Sequence, residues 1–457
     1  MNQIKEDFLH AAAQKSFDPE HRRKLEFNIN KYSHQFELGI KQFSNIEDVK
    51  HVAHSLKKMA IENVDFYLEQ FETNCIKNGG KVLWAENSAD ALQYILEICK
   101  KKQAKMVVKS KSMVSEEIHL NHFLKEHQIE SVETDLGEYI QQLDNQPPYH
   151  ILTPAMHKSK EDVAQVFHEH FGTPLNLSPQ EITLEARKRL RSAYIQAEIG
   201  ISGANFILPD IGAIAVTENE GNARLSMAFP KTHIVIVGIE KIIPSVQHLS
   251  LFWTLLANYG TGQKITVYNT IVGGPKKSNE SDGPEEFYVI LLDNGRTKLL
   301  DDPQLKQGLY CIRCGACLNV CPIYKSIGGH AYNVTYTGPI GKVISPNLTD
   351  LKTYSHLAQS SSLCGRCTEV CPVKIPLHEL ILKNRQHTVE KGFNSVSEKI
   401  AWKIWKKSML NRKWWDIAGH NTKNKLVNTL FKNWHKNRSN LSFPNNSFRS
   451  WWLKEKS

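Results

Sequence analysis

The segment YCIRCGACLNVCPIY, residues 310–324, sets the tightest limit on what this chain can fold into. Cys311, Cys314, Cys317 and Cys321-Pro322 follow the spacing C-x2-C-x2-C-x3-C-P. Three thiolates at three-residue steps wrap one iron–sulfur cubane, and the fourth, just before the proline, reaches across to a second cluster. Zinc is the rival, but zinc sites set two CxxC pairs on either side of a longer spacer. Fifty residues on, SSSLCGRCTEVCP (360–372) repeats the pattern with Cys364, Cys367 and Cys371-Pro372, and Ser361 stands where the first cysteine would be. The crossing rule then gives Cys311, Cys314, Cys317 and Cys371 to one [4Fe-4S] cluster. It gives Cys321, Cys364 and Cys367 to a second, held by three cysteines. The open corner falls to Ser361, to water, to a ligand elsewhere in the fold, or to no iron at all, which would make a [3Fe-4S] cluster. A chain with one cluster would leave Cys321, Cys364 and Cys367 without a role. Two clusters on one short fold make a conduit for single electrons.

Seven of the nine cysteines lie within 311–371. The N-terminus, MNQIKEDFLH, has no apolar signal segment, so this grouping argues for metal ligation over disulfides. Cys75 and Cys99 read as small buried hydrophobes on helices. No run of 18 apolar residues predicts a membrane span, and a soluble, cytoplasmic chain is expected. With 41% apolar and 23% charged residues the chain is not mainly disordered, and its 457 residues suggest about three domains at roughly 150 residues each. The net charge of +10 is unevenly placed. Residues 401–457 carry thirteen Lys and Arg against two acids, while the remaining 400 come to about −1.

The expected fold class is α/β, preceded by a helical arm and followed by an α-helical ferredoxin-type domain. Residues 1–78 predict the arm. SNIE (44–47) reads as a capping box from Ser44 to Glu47, and a long amphipathic helix runs from Val49 to Phe71. From 79 to 298 short strands alternate with helices of 10–15 residues, the pattern of βαβ units and a parallel sheet. KVLWA, KMVVKS, ESVET, HILTPA, HIVIVGIE, KITVYNTIV and EEFYVILLD are the predicted strands, SEEIHLNHFLKEH is one of the helices, and FILPDIGAIAV is a hairpin. Residues 299–390 form the cysteine domain. Residues 391–457 are basic and Trp-rich. They suit a membrane-surface segment, a docking arm for an acidic partner, or a solvated tail; nucleic acid is not expected.

The α/β part offers candidate sites and no decisive constellation. Lys109, Ser110, Lys111 and Ser112 follow a strand and precede a helix, where open α/β sheets bind ligands; a polar turn is the alternative. Glu218, Asn222 and Arg224 in TENEGNARL could line a pocket or form a capping turn. His330, between the two cysteine motifs, is either near a cluster or a local packing residue. The catalytic residues are unassigned.

GLYCIRCGACLNVCPIYKSIGGHAYNVTYTGPIG and SSLCGRCTEVCPVKIPLHELIL resemble the iron–sulfur protein of bacterial lactate utilisation, the lactate utilization protein B family. KSKSMVSEEIHLNHFL, VETDLGEYIQQL, HILTPAMHKS, GISGAN, TENEGNARL and HIVIVGIEKIIPS resemble successive segments of its LUD domain. The likeness covers about residues 20–390. It implies a LUD fold similar to the sugar-phosphate isomerase and CoA-transferase group. It also implies a role in electron transfer during oxidation of L-lactate to pyruvate, beside a companion cysteine-rich iron–sulfur protein and a small LUD-only protein. The seven-cysteine pattern is implied to be the family's own, so Ser361 is not a local loss. On this basis the chain is expected to be an electron-transfer subunit of a lactate-oxidising complex and not a stand-alone enzyme. The alternatives are a LUD domain that is itself catalytic, or an iron–sulfur subunit serving another 2-hydroxy acid such as glycolate.

Overall fold

The computed structural model describes residues 3–411, 419–430, 432 and 439–456. Met1–Thr388 forms one compact unit and Val389–Ser457 another.

In the first unit the strands are β1 (Lys81–Ala85), β2 (Met106–Lys109), β3 (Glu130–Glu133), β4 (Ile199–Ser202), β5 (Phe206–Leu208), β6 (Ala213–Glu218), β7 (Thr232–Gly238), β8 (Tyr268–Val272) and β9 (Glu286–Leu292). Six make a sheet in the order β1-β9-β7-β4-β2-β3, every pair parallel. β7 reads THIVIVG and is buried along its whole length, as a parallel strand covered on both faces must be. β5, β6 and β8 form a separate antiparallel sheet, and the expected hairpin is β5–β6. Cys75 and Cys99 are fully buried, and burial pushes both thiols up to about 12, so they are inert core residues.

The cysteine segment is helical. It includes Ala316–Val320, Pro322–Ile327, Gly338–Leu348, Leu351–Gln359, Arg366–Glu369 and Leu377–Glu390. The N-terminal helices do not stand apart from it. Phe8 packs against Tyr332 and His356, Lys50 Nζ donates to Glu369 O at 3.0 Å, and His54 Nδ1 meets Val373 O at 2.9 Å. One apolar core runs through Phe8, Leu56, Phe252, Tyr310, Leu318 and Ile381.

Four local expectations need correction. The cap of helix Ile46–Glu62 is Asn45, whose Oδ1 accepts from the amides of Glu47 and Asp48, and not Ser44. Glu47 instead pairs with Lys50 and Lys374. The long helix after it breaks at Asn63, giving Ile46–Glu62 and Val64–Lys77. SEEIHLNHFLKEH is two short helices, Met113–Glu117 and Leu120–Glu126, interrupted where His119 turns left-handed at φ 54°. HILTPA (150–155) is an irregular turn and not a strand. His150 Nδ1 accepts from the amides of Leu152 and Thr153, so the side chain closes the backbone on itself.

The second unit contains helices Val396–Leu410, His420–Leu430 and Phe448–Glu455, and none buries a residue among those described. No described helix is long and apolar enough to cross a membrane.

Candidate iron–sulfur centre and the adjoining cavity

The two cysteine motifs share a backbone as well as a spacing. Arg313 and Gly315 have φ of 62° and 75°; at the matching places Leu363 and Gly365 have 55° and 83°. In the first loop the Arg313 amide donates to Cys311 Sγ at 3.4 Å. In the second the Leu363 amide donates to Ser361 Oγ at 3.2 Å. Each loop folds its chain around the space where thiolates converge, which is why two residues per loop take left-handed conformations. Cys371 Sγ accepts from the Ile375 amide at 3.3 Å, so Pro372 and the turn behind it aim this sulfur back toward the first loop.

The thiols fall into two electrostatic groups. Burial raises the pKa of Cys314, and the neighbouring charges of Cys311 and Cys371 add to it. Cys371 is pushed up to about 12 by burial, with Cys311 again contributing. Cys367 is pushed up to about 11 by burial, then by Cys321 and Cys364. Cys317 is raised by burial and by Cys311 and Cys314, and it also feels Cys367, so it stands between the groups. Thiols crowded like this stay protonated unless a cationic centre sits among them, so the donor set fits a metal cluster.

On the second side Cys364 is exposed, and a small hollow is lined by Cys321, Ser361, Cys364, Cys367 and His378. The segment before Ser361 is held by two cations. Lys342 Nζ donates to Ser360 O at 2.6 Å, and Arg385 donates to Ala358 O at 2.9 Å and to Ser361 O at 2.6 Å. His378 escaped the sequence reading, because it lies seven residues beyond Cys371, outside any ligand spacing. Its Nδ1 meets Thr368 Oγ1 at 2.7 Å.

Beside the first loop lies a cavity of about 520 Å³. Its walls include Ser110, Lys111 and Ser112 but not Lys109. Lys109 is fully buried and salt-bridged to Glu133 Oε1 at 2.7 Å and Glu116 Oε1 at 3.0 Å, with Glu138 at 3.8 Å. It is a structural charge that does not reach the cavity, and not a ligand-binding residue. Lys111 donates to Leu152 O at 2.8 Å and faces Asp135 at 3.5 Å. Glu218 and Asn222 line the cavity, and the Glu218 carboxylate also caps the next helix by accepting from the amides of Ala223 and Arg224. Arg224 instead lies over the Tyr268 ring. His330 is a packing residue: its Nε2 meets Pro147 O at 2.8 Å, and its ring lies against Tyr149 and His157. Glu220, not singled out in the sequence, is pushed up to about 7 by burial and then by the charge of Asp135. Arg313 and Lys241 close the cavity on the cluster side. Behind them Glu240 pairs with Arg296 at 2.5 Å and with Arg313 at 3.1 Å, and burial notwithstanding, these cations hold its carboxyl down at about 2.

Comparison with known proteins adds two family matches. A LUD domain model matches residues 68–292, and a 4Fe-4S dicluster domain model matches residues 307–375. Lactate utilization protein B of Bacillus cytotoxicus is 48% identical over 364 residues, 79% of this chain and 76% of that protein. The protein of the same name from Bacillus velezensis is 46% identical over 364 residues, with the same coverage. Among solved structures, a DUF162 family protein from Deinococcus radiodurans aligns with a TM-score of 0.30 at 13% identity, over 50% of this chain and 98% of that one.

Proposed function

Because this chain belongs to the lactate utilization protein B family, we propose that it carries electrons in the oxidation of L-lactate to pyruvate. On this reading Cys311, Cys314, Cys317 and Cys371 hold a first [4Fe-4S] cluster, and Cys321, Cys364 and Cys367 hold a second. The observation that carries it is the shared backbone of the two cysteine loops, in which the Arg313 amide donates to Cys311 Sγ as the Leu363 amide donates to Ser361 Oγ. When bound, each cluster supplies a site that gains or loses one electron at a time. Two such sites match a substrate that gives up two electrons.

The protein's own residues supply the surroundings. The amides of Arg313 and Ile375 donate to cluster-facing sulfurs and so favour a more negative charge there. Lys342 lies near Cys321 and Cys367, whose charge works against the burial that depresses this lysine. Phe8, Leu56, Tyr310 and Ile381 exclude water from the buried side. The partners in this proposal are a companion cysteine-rich iron–sulfur protein and a small LUD-only protein, with an acceptor beyond them. The exposed Cys364 side is where electrons would leave, and the basic Trp-rich segment would make any peripheral contact with a membrane.

Anaerobic purification tests the reading. About eight iron and eight sulfide per chain are expected, or about seven iron if the second cluster is [3Fe-4S]. Two overlapping paramagnetic signals should appear on reduction. A chain that carries zinc and no acid-labile sulfide overturns it.

A further inference from the structure

Arg313 lies between two cysteines in the chain, yet its side chain leaves the loop and lines the 520 Å³ cavity. It is 8% exposed, and its Nε and Nη1 groups have no hydrogen-bond partner among the described residues. Only Nη2 is engaged, with Glu240 Oε1 at 3.1 Å, while the guanidinium lies over the Tyr336 ring at 4.4 Å. A buried guanidinium with open N–H groups is costly unless something accepts from them. The nearby carboxylates are committed. Glu240 is shared with Arg296, and Glu117 takes two bonds from Arg296 and one from Tyr336. Lys241, 7% exposed, lines the same wall. Arg296, Arg313 and Lys241 thus gather at this end of the cavity with Glu240, Glu117 and the Cys311 sulfur as their counter-charges, and Arg313 Nε and Nη1 stay open.

Other parts of the cavity lining carry the opposite sign, with Asp135, Glu218 and Glu220. A polyphosphate would set its charges against Glu218 and Glu220 as well as Asp135, of which Lys111 faces only the last. A single carboxylate whose remaining groups form hydrogen bonds would not. The volume lies in the range of organic-ligand sites.

We propose that this cavity binds one small organic acid, its carboxylate accepting from the open N–H groups of Arg313 and from Lys241, and its hydroxyl or keto end directed to Glu220 and Asp135. The inference deepens the electron-carrier reading and rests on it in one respect, that Cys311 is a ligand of the first cluster. The bound acid then lies against the cluster loop, and its charge lowers the first cluster's midpoint potential.

The test is calorimetric titration of the anaerobically purified full-length holoprotein with L-lactate, pyruvate, inorganic phosphate and uncharged lactamide. L-lactate or pyruvate should saturate one site per chain, and lactamide and phosphate should not. Lys241→Gln and Arg313→Gln should each weaken binding at least tenfold. Iron and sulfide content are measured on every variant, so loss of the clusters is read separately from loss of the site. If Arg313→Gln sheds iron, Lys241→Gln decides, because Lys241 belongs to neither cysteine loop and its iron content is measured alongside. No saturable binding by either acid, equal binding of phosphate, or unchanged affinity in Lys241→Gln overturns the proposal. So does a Lys241→Gln protein whose first-cluster potential shifts while nothing binds in wild type, since the cations would then serve the cluster alone.

Discussion

Ser361 occupies the place of a ligand without being a cysteine. Its hydroxyl receives the Leu363 amide as Cys311 receives the Arg313 amide, so the second loop keeps the fold of the first with an oxygen in place of sulfur. If that oxygen faces the second cluster, Ser361→Cys adds a thiolate and a negative charge. The second cluster's midpoint potential should fall and its paramagnetic signal change, with the first cluster's signal unmoved. Potentiometry with paramagnetic resonance reads both. An unchanged second signal would move attention to His378 across the hollow. Lys109 behaves differently. It answers Glu116, Glu133 and Glu138 in a space where burial pushes the carboxyls of Glu133 and Glu138 up. Lys109→Met should cost about 3–5 kcal/mol, because it leaves carboxylates buried without their cation. Denaturant unfolding measures this, and a variant as stable as wild type would show that these acids are neutral in the fold.

At the scale of elements, what could be read from the chain depended on how far the partners lie. Cysteine spacing is local, so two loops with one backbone were legible from two matching strings. The βαβ alternation was legible because apolar runs such as HIVIVGIE must be strands buried on both faces. The separate fates of Lys109 and Lys111 were not legible. Of the three acids that claim Lys109, Glu116 is local, but Glu133 and Glu138 sit further along the chain on β3 and the helix Leu136–Leu143, and the segment reads equally well as a ligand loop. Arg313 as a cavity residue was hidden for the same reason, inside a motif whose cysteines explain it fully. The tight seat of helix Asn222–Ala228 on β4 is also non-local. A Cβ added at Gly200 would come within 1.8 Å of the Ser226 carbonyl oxygen, so only glycine permits the approach. Gly200→Ala should push this helix outward, at a cost of about 1–3 kcal/mol. Since the helix carries Asn222 into the cavity, affinity for the organic acid should fall with stability. A variant with wild-type melting would mean the helix yields without cost.

On the scale of the whole molecule, the seven cysteines of the two motifs, the cavity and the cores that bury them lie within Met1–Thr388. Residues Val389–Ser457 form their own unit, with exposed Trp402, Trp405, Trp451 and Trp452 on helices that bury nothing among the described residues. Thirteen basic residues against two acids after position 400 make it a cationic, aromatic surface. Trp side chains prefer the boundary of a bilayer, and Lys and Arg gain about 1 kcal/mol each near anionic headgroups, screened by salt. A chain ending at residue 394 should therefore retain its iron, sulfide and melting temperature. The full chain should sediment with vesicles containing anionic lipid at low salt and be released as salt rises, while the shortened chain stays in the supernatant. If both forms stay in the supernatant, the segment is not a membrane contact, and its charge is left to serve an acidic protein partner. If the shortened chain loses iron, the separation of cluster-bearing and basic units is wrong, and the tail belongs to the machinery that holds the clusters.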